Sequence, residues 1–326
     1  MNNPERVTLN ATIPDESAGQ RLDQVLAELF DSYSRARLQK WVKEGCVTLN
    51  GSLCSKPREK VHGGESVVIE AELESETAVV AQDIPLDVIF EDEHLLIVNK
   101  PAGMVVHPAA GNPDGTLQNA LLHYDPALAA IPRSGLVHRI DKDTSGLLMV
   151  ARTLTAHNHL VERLQQHDIE REYQAITMGV MVSGGTVETP IGRHPVDRLK
   201  MAVTERGKEA ITHYRVEERF RAHTHIKVQL ETGRTHQIRV HMAHLRFPLV
   251  GDPVYGGRIR IPAESSEQMI ETLRGFRRQA LHAARLGLEH PETGELLSWE
   301  APLPADMAQL IQVLCEDAEQ HREQSR

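Results

Sequence analysis

The chain has 326 residues, 40% hydrophobic and 25% charged, an ordinary globular composition with room for two or three domains of about 100–200 residues each. No run of about 18 apolar residues is present, which excludes a transmembrane helix, and the first residues (MNNPERVTLNATIPDE) lack a secretory pattern. Three sparse cysteines (Cys46, Cys54 and Cys315) with no CxxC pair argue against a disulfide framework or zinc site and for a cytoplasmic setting, while the net charge of −10 argues against a polyanionic partner unless the acids are segregated.

The first helix is expected in GQRLDQVLAELF, where Leu22, Val25, Leu26 and Leu29 recur at helical spacing. Ser34 is a candidate N-cap for a second helix, SRARLQKWVKEG, with Leu38, Trp41 and Val42 on one face and Gly45 as its stop. CVTLNGSLC then predicts a hairpin about Asn50-Gly51, and VHGGESVVIEAEL a further turn and strand. Residues 34–60 carry seven Lys/Arg against two acids, so the second helix and hairpin form a basic surface. Residues 65–93 carry ten acids and no Lys or Arg, which equals the whole net charge, and 76–84 read as a solvated acidic linker.

From residue 84 the pattern changes. IPLDVIFEDEHLLIVNKPAG predicts two strands ending at Pro101, Thr116 caps a helix TLQNALLHY, and GLLMVAR reads as a buried strand. Thr155 is the expected cap of the helix TAHNHLVERLQQ. REYQAITMGVM, AITHYRVEERF and THIKVQLETG predict further strands. Strands dominate with two or three flanking helices, which predicts an α+β domain on a largely antiparallel mixed sheet. Residues 193–285 hold eighteen Lys/Arg against ten acids plus eight histidines, whereas 288–326 hold two Arg against nine acids.

Two segments concentrate reactive groups. GLVHRIDKDTSGLLMVART (135–153) packs His138, Arg139, Asp141, Lys142, Asp143, Thr144 and Ser145 between two apolar runs, which places a charged loop at a sheet edge. LETGRTHQIRVHMAH (230–244) has Gly233 for a tight turn. Strand-like alternation there puts His236, Ile238 and Val240 on one face, with Gln237, Arg239 and His241 on the other. An inward Arg239 needs a carboxylate partner, because an unpaired buried charge is costly, and Asp141 is the candidate. REYQA (171–175) adds a tyrosine among charges, which taken alone reads as edge packing. His236, His241 and His244 match no zinc spacing, so no metal is expected.

These segments together resemble the pseudouridine synthases of the RluA subfamily. HRIDKDTSG (138–146) is similar to that family's HRLDxxTSG motif, with Ile140 where Leu is usual. NKPAGMVVHP (99–108), REYQA, GRTHQIRVHMAH (233–244), GDPVYGG (251–257) and QALHA (279–283) follow in the family's order. The N-terminal unit resembles a small α/β RNA-binding domain of ribosomal-protein type. The resemblance implies a cofactor-free isomerase that cleaves the bond between ribose and uracil, rotates the base and rejoins it through a ring carbon. It implies Asp141 as the catalytic carboxylate, Arg239 as its ion-pair partner and Tyr173 stacked on the target base. Arg139 would fill the space left by the flipped nucleotide. Whether Asp141 attacks the anomeric carbon or abstracts a sugar proton stays open. Arg234 and His236 are candidates for RNA contacts, as are Arg35, Arg37, Lys40 and Lys43 of the basic helix. The implied partner is large-subunit ribosomal RNA or a pre-ribosomal particle; a monomer is the default expectation, and no membrane is expected. The expected division is 1–75 for the RNA-binding domain, 76–84 for the linker, 85–312 for the catalytic domain and 313–326 for an acidic tail. A non-catalytic RNA-binding or ribosome-assembly factor is the alternative from another class, and a histidine-based metal-dependent RNA hydrolase is a third. The co-occurrence of Asp141, Tyr173 and Arg239 favours the isomerase.

Overall fold

The structure, a computed structural model, describes residues 5–30, 33, 35–73, 79–109, 111–197 and 200–324. It divides into two compact units, residues 1–78 and 79–326.

In the first unit, β1 (Glu5–Thr12) pairs with β4 (Ser66–Leu73), which also pairs with β2 (Val47–Leu49), and β3 (Ser52–Leu53) completes the sheet. Helices α1 (Leu22–Leu29) and α2 (Arg35–Lys43) bury Leu22, Val25 and Leu26 against Leu38, Trp41 and Val42, closing a core with Val47, Val67 and Ile69. The expected apolar faces are therefore the packed ones, with Leu29 half-buried. Asn50 (φ 48°) and Gly51 (φ 77°) both turn left-handed, as a type I′ hairpin requires. The expected cap Ser34 lies outside the described residues.

In the second unit the strands β5 (Val88–Glu91), β6 (Leu95–Lys100) and β7 (Ser145–Ala151) are followed by β8 (Glu170–Met178) and β9 (Gly185–Glu188). Next come β10 (Ile191–Arg193), β11 (Met201–Val203), β12 (Ile211–Arg219), β13 (His223–Leu230), β14 (Leu281–Glu289) and β15 (Leu296–Glu300). All but β10 and β11, which pair with each other, join one sheet ordered β5-β6-β7-β14-β8-β13-β12-β9, with β15 on β14. Among the described strands only β14 and β7 pair in parallel. Every residue of β7 is buried, because both of its faces are covered. Leu148 and Val150 face a core with α3 (Leu117–Tyr124), while Leu147 and Met149 face α4 (Leu154–Gln165). Helices α5 (Gln237–His244), α6 (Glu267–Gly275) and α7 (Ala305–Gln324) complete the unit.

Several expectations change. The expected linker is only partly described. Residues 76–78 lie outside the described ones, and from Val79 the chain already packs on the second unit's core, with Gln82 donating its N–H to Asn119 O (3.0 Å). The expected acidic tail from 313 is the second half of α7, whose Val313 and Leu314 pack against Ile176 and Met178 beside Met307 and Leu310. Thr153, not Thr155, caps α4, its hydroxyl accepting the N–H of Ala156 at 3.1 Å. Residues 237–244 form helix α5 rather than a strand.

Candidate active site

A cavity of about 540 Å³ opens at the sheet where β8 and β14 meet the loop that leads into β7. Five arginines (Arg133, Arg139, Arg171, Arg234 and Arg239), four histidines and one carboxylate, Asp141, line it. Such a lining attracts an anion and concentrates negative charge at a single point.

Asp141 sits at the start of a turn closed by the Thr144 N–H on Asp141 O (3.1 Å). The turn is held from below by the segment entering β14. Arg278 donates to Asp143 O (3.2 Å), Gln279 Nε2 donates to Thr144 Oγ1 (3.0 Å), and Ser145 Oγ meets His282 Nδ1 at 2.9 Å. Gly146 makes this approach possible. Its φ is +117°, and a Cβ there would lie 2.2 Å from Ala283 O. Lys100, 1% exposed, ties the preceding loop to the same turn, donating to the carbonyls of Pro101 (2.7 Å), Met104 (2.9 Å) and Lys142 (3.0 Å). Burial pulls its amine down to about 7, against the pull of Asp143 and Asp141.

Arg239 NH1 donates to Asp141 Oδ2 at 2.9 Å, the expected pair. The reason is helical rather than strand geometry. Gln237 nucleates α5 by accepting from Thr232 Oγ1 (2.8 Å) and Arg234 N (2.9 Å) and donating to Ile211 O (2.9 Å). His236 turns left-handed (φ 58°) just before the helix, and its Nε2 lies 3.9 Å from Asp141 Oδ1. Burial lowers the His236 imidazole, so it is neutral at pH 7 although Asp141 pulls the other way. Two partners escaped the sequence reading. Asp252 forks onto Arg239 at 2.7 and 2.8 Å, and Tyr255 places its hydroxyl 2.9 Å from His236 Nδ1. Both lie in GDPVYGG, a segment that carried part of the family resemblance but no expected role for either residue.

Tyr173 on β8 is 6% exposed and lines the cavity beside these groups. Burial raises its phenol, Arg171 works against that, and Asp141 adds to it, so the hydroxyl stays protonated at neutral pH. Arg139 is exposed at the cavity with no ion-pair partner among the described residues. Arg234 lines the cavity too, but its Nε is committed to Glu209 O at 2.8 Å. His138 is scaffold: its Nε2 accepts the N–H of Met149 at 3.1 Å, and burial lowers it to about 3. In the first unit, Arg35 pairs with the buried Asp23 at 2.8 Å. Burial alone would raise that carboxyl, but hydrogen bonds from Arg35, Arg21 and Gln39 hold it at about 2. Arg37, Lys40 and Lys43 lie on the same helix, with Lys40 3.8 Å from Glu44 and Lys43 exposed. Among the described residues no cluster of His, Cys, Asp or Glu could hold a metal ion, and no helix is long and apolar enough to cross a membrane.

A carboxylate fixed by a buried guanidinium, facing a cavity with a buried tyrosine, suits chemistry at an electron-poor sugar carbon. Comparisons with known proteins give the family. Residues 94–244 match the RNA pseudouridylate synthase family and residues 20–67 match the S4 domain. The ribosomal large subunit pseudouridine synthase D of Escherichia coli strain K12 is 57% identical, covering 98% of either chain. Its namesake in Pseudomonas aeruginosa is 57% identical over 95% of this chain and 96% of its own. Among solved structures, human RNA Pseudouridylate Synthase Domain Containing 4 matches 70% of this chain and 93% of its own, at 25% identity and a TM-score of 0.55. An α+β catalytic unit preceded by an S4 domain, matched along almost its whole length, makes this chain a member of the RNA pseudouridylate synthase family.

Proposed function

We propose that this protein converts uridines of large-subunit ribosomal RNA into pseudouridine, with Asp141 as the reacting carboxylate. The observation that carries the reading is the Arg239–Asp141 pair at 2.9 Å on the wall of an arginine-lined cavity. The reaction breaks the bond from ribose C1′ to the ring nitrogen N1 and makes one from C1′ to C5. The C5 proton is lost and N1 gains one, so no net oxidant, phosphate or cofactor is consumed. Asp141 serves by attacking C1′ or by taking a neighbouring sugar proton, and both paths need it aimed. Arg239 supplies the aim. Tyr173 stacks on the base, and its protonated hydroxyl lies at hand for proton movement. Arg139, exposed and without an ion-pair partner among the described residues, takes the place of the flipped nucleotide. Arg234 and His236 contact the flanking RNA, and Arg37, Lys40 and Lys43 of the S4 domain, with Arg35 beside them, bind its phosphates. The enzyme works as a cytoplasmic monomer on ribosomal RNA or a pre-ribosomal particle. Mapping pseudouridines in the ribosomal RNA of a deletion strain tests the reading. Wild type restores the missing sites and Asp141→Asn restores none, while its RNA binding survives. Restoration by Asp141→Asn would sink the assignment.

A further inference from the structure

We propose that the turn at residues 251–257 is a positioning element of the active site. In it Asp252 aims Arg239, whose NH1 holds Oδ2 of the Asp141 carboxylate, and Tyr255 orients the neutral His236 ring beside Oδ1. The proposal rests on the reading of Asp141 as the reacting group.

The Arg239 guanidinium spends Nε and NH2 on Asp252 and keeps NH1 for Asp141. A two-point fork fixes the plane of a guanidinium, so the direction of NH1 follows from Asp252. Asp252 itself has no freedom. Its side chain is 1% exposed, and Oδ1 also accepts the N–H groups of Val254 (2.8 Å) and Tyr255 (3.0 Å). Tyr255 lies under the same guanidinium, 5.1 Å from ring centre to Arg239 Cζ. Its oxygen accepts the Met201 N–H at 2.9 Å, so its own proton goes to His236 Nδ1. The His236 proton then sits on Nε2, the atom 3.9 Å from Asp141 Oδ1.

The turn is locked onto the segment that holds the Asp141 loop from the other side. Gly251 (φ +71°) has room for no Cβ, which would fall 2.3 Å from Arg278 O and 2.6 Å from Phe276 O. Arg278 in turn donates to Asp143 O. Asp141 is thus reached through its loop and through Arg239 from one common support. Sharing Arg239 between two carboxylates also matters for reactivity. Asp252 takes up part of the cation, so Asp141 is oriented without being fully neutralised. Neither Asp252 nor Tyr255 is among the described residues that line the cavity, so each acts through its neighbour and not on the RNA.

The test uses the full chain and a ribosomal RNA fragment, with Asp252→Asn and Tyr255→Phe. Asparagine keeps an acceptor for the two amides but loses the charged fork. A misaimed carboxylate costs up to about 100-fold in rate. Asp252→Asn is expected to lower kcat about 10- to 100-fold and Tyr255→Phe about 3- to 10-fold, with KM and RNA affinity within about twofold of wild type. A kcat for Asp252→Asn within twofold of wild type, beside an inactive Asp141→Asn, overturns the positioning role alone. A loss in Asp252→Asn that appears in KM or RNA affinity and not in kcat overturns it in favour of binding. An active Asp141→Asn overturns the underlying reading instead. Should Asp252→Asn lose its cooperative unfolding transition, Tyr255→Phe decides, and an unchanged kcat in it overturns the proposal.

Discussion

Replacing Arg239 with methionine removes the cation that Asp252 and Asp141 share, and the consequence for stability can be worked out. At 2.8 Å and an effective dielectric constant of about 20, the lost attraction to Asp252 is about 6 kcal/mol. Asp252 is too buried to recover it from water, but it can take up a proton instead. Holding a proton at pH 7 on a group whose ordinary value is 3.8 costs about 4 kcal/mol. Protonation is the cheaper route, so the variant folds with Asp252 neutral and is about 4 kcal/mol less stable at pH 7. This agrees with the range of about 3–5 kcal/mol for breaking a buried pair. At pH 5 the same proton costs about 2 kcal/mol, so the penalty halves. In the wild type, burial pushes Asp252 up but Arg239 and two backbone amides hold it below 3.8. It is therefore ionised in both folded and unfolded states from pH 5 to 7 and adds no slope there. In the variant the folded value is raised, so stability is lost as pH rises above 3.8. Urea unfolding at both pH values, followed by Trp299 on β15 in a Trp41→Phe background, reports the catalytic unit alone. A penalty below about 1 kcal/mol at pH 7, or an equal penalty at pH 5, would contradict proton uptake by Asp252.

Gly146→Ala should cost the catalytic unit about 3 kcal/mol, because its Cβ meets the Ala283 backbone and φ is +117°. A loss under about 1 kcal/mol in the same unfolding assay would contradict the tight β7–β14 approach. Removing residues 1–78 should weaken binding to a ribosomal RNA fragment and flatten its salt dependence, while kcat on saturating RNA stays within about threefold. Unchanged affinity across a salt series would remove the S4 domain from RNA binding.

What the sequence disclosed depended on whether the signal was local. The Asn50-Gly51 hairpin and the Thr116 cap are set by neighbouring residues, and both form, the latter as a capping box with Asn119. The strands of the main sheet were visible as apolar runs for the same reason. Helix α5 was misread because His236, Ile238 and Val240 alternate, and nothing local shows that Gln237 collects loop groups beneath the helix start. Charge hid α7. Its acids suggested a tail, although Met307, Leu310 and Leu314 recur at helical spacing. At the site, the sequence identified a buried arginine in need of a carboxylate, and Asp141 meets that need. It could not show that Asp252 meets it too, because a partner thirteen residues away along the chain carries no periodic mark.

The same distinction explains why a net charge of −10 misleads. Three acids of the C-terminal segment are spent on scaffold cations, in Arg163–Glu289, Arg278–Asp306 and Arg221–Asp317. The cavity arginines are held differently. Arg171 and Arg234 donate to backbone carbonyls, at Glu231 and Glu209, which fix a guanidinium without cancelling its charge. Arg139 has no ion-pair partner among the described residues, and Arg239 spends its charge on Asp252 and Asp141. Since screening confines exposed charges to about 8 Å at physiological salt, a polyanion entering the cavity meets these uncancelled arginines and not the sum over the chain. What matters for binding RNA is which arginines are already paired with acids, and among the described residues Arg139, Arg171 and Arg234 at the cavity are not.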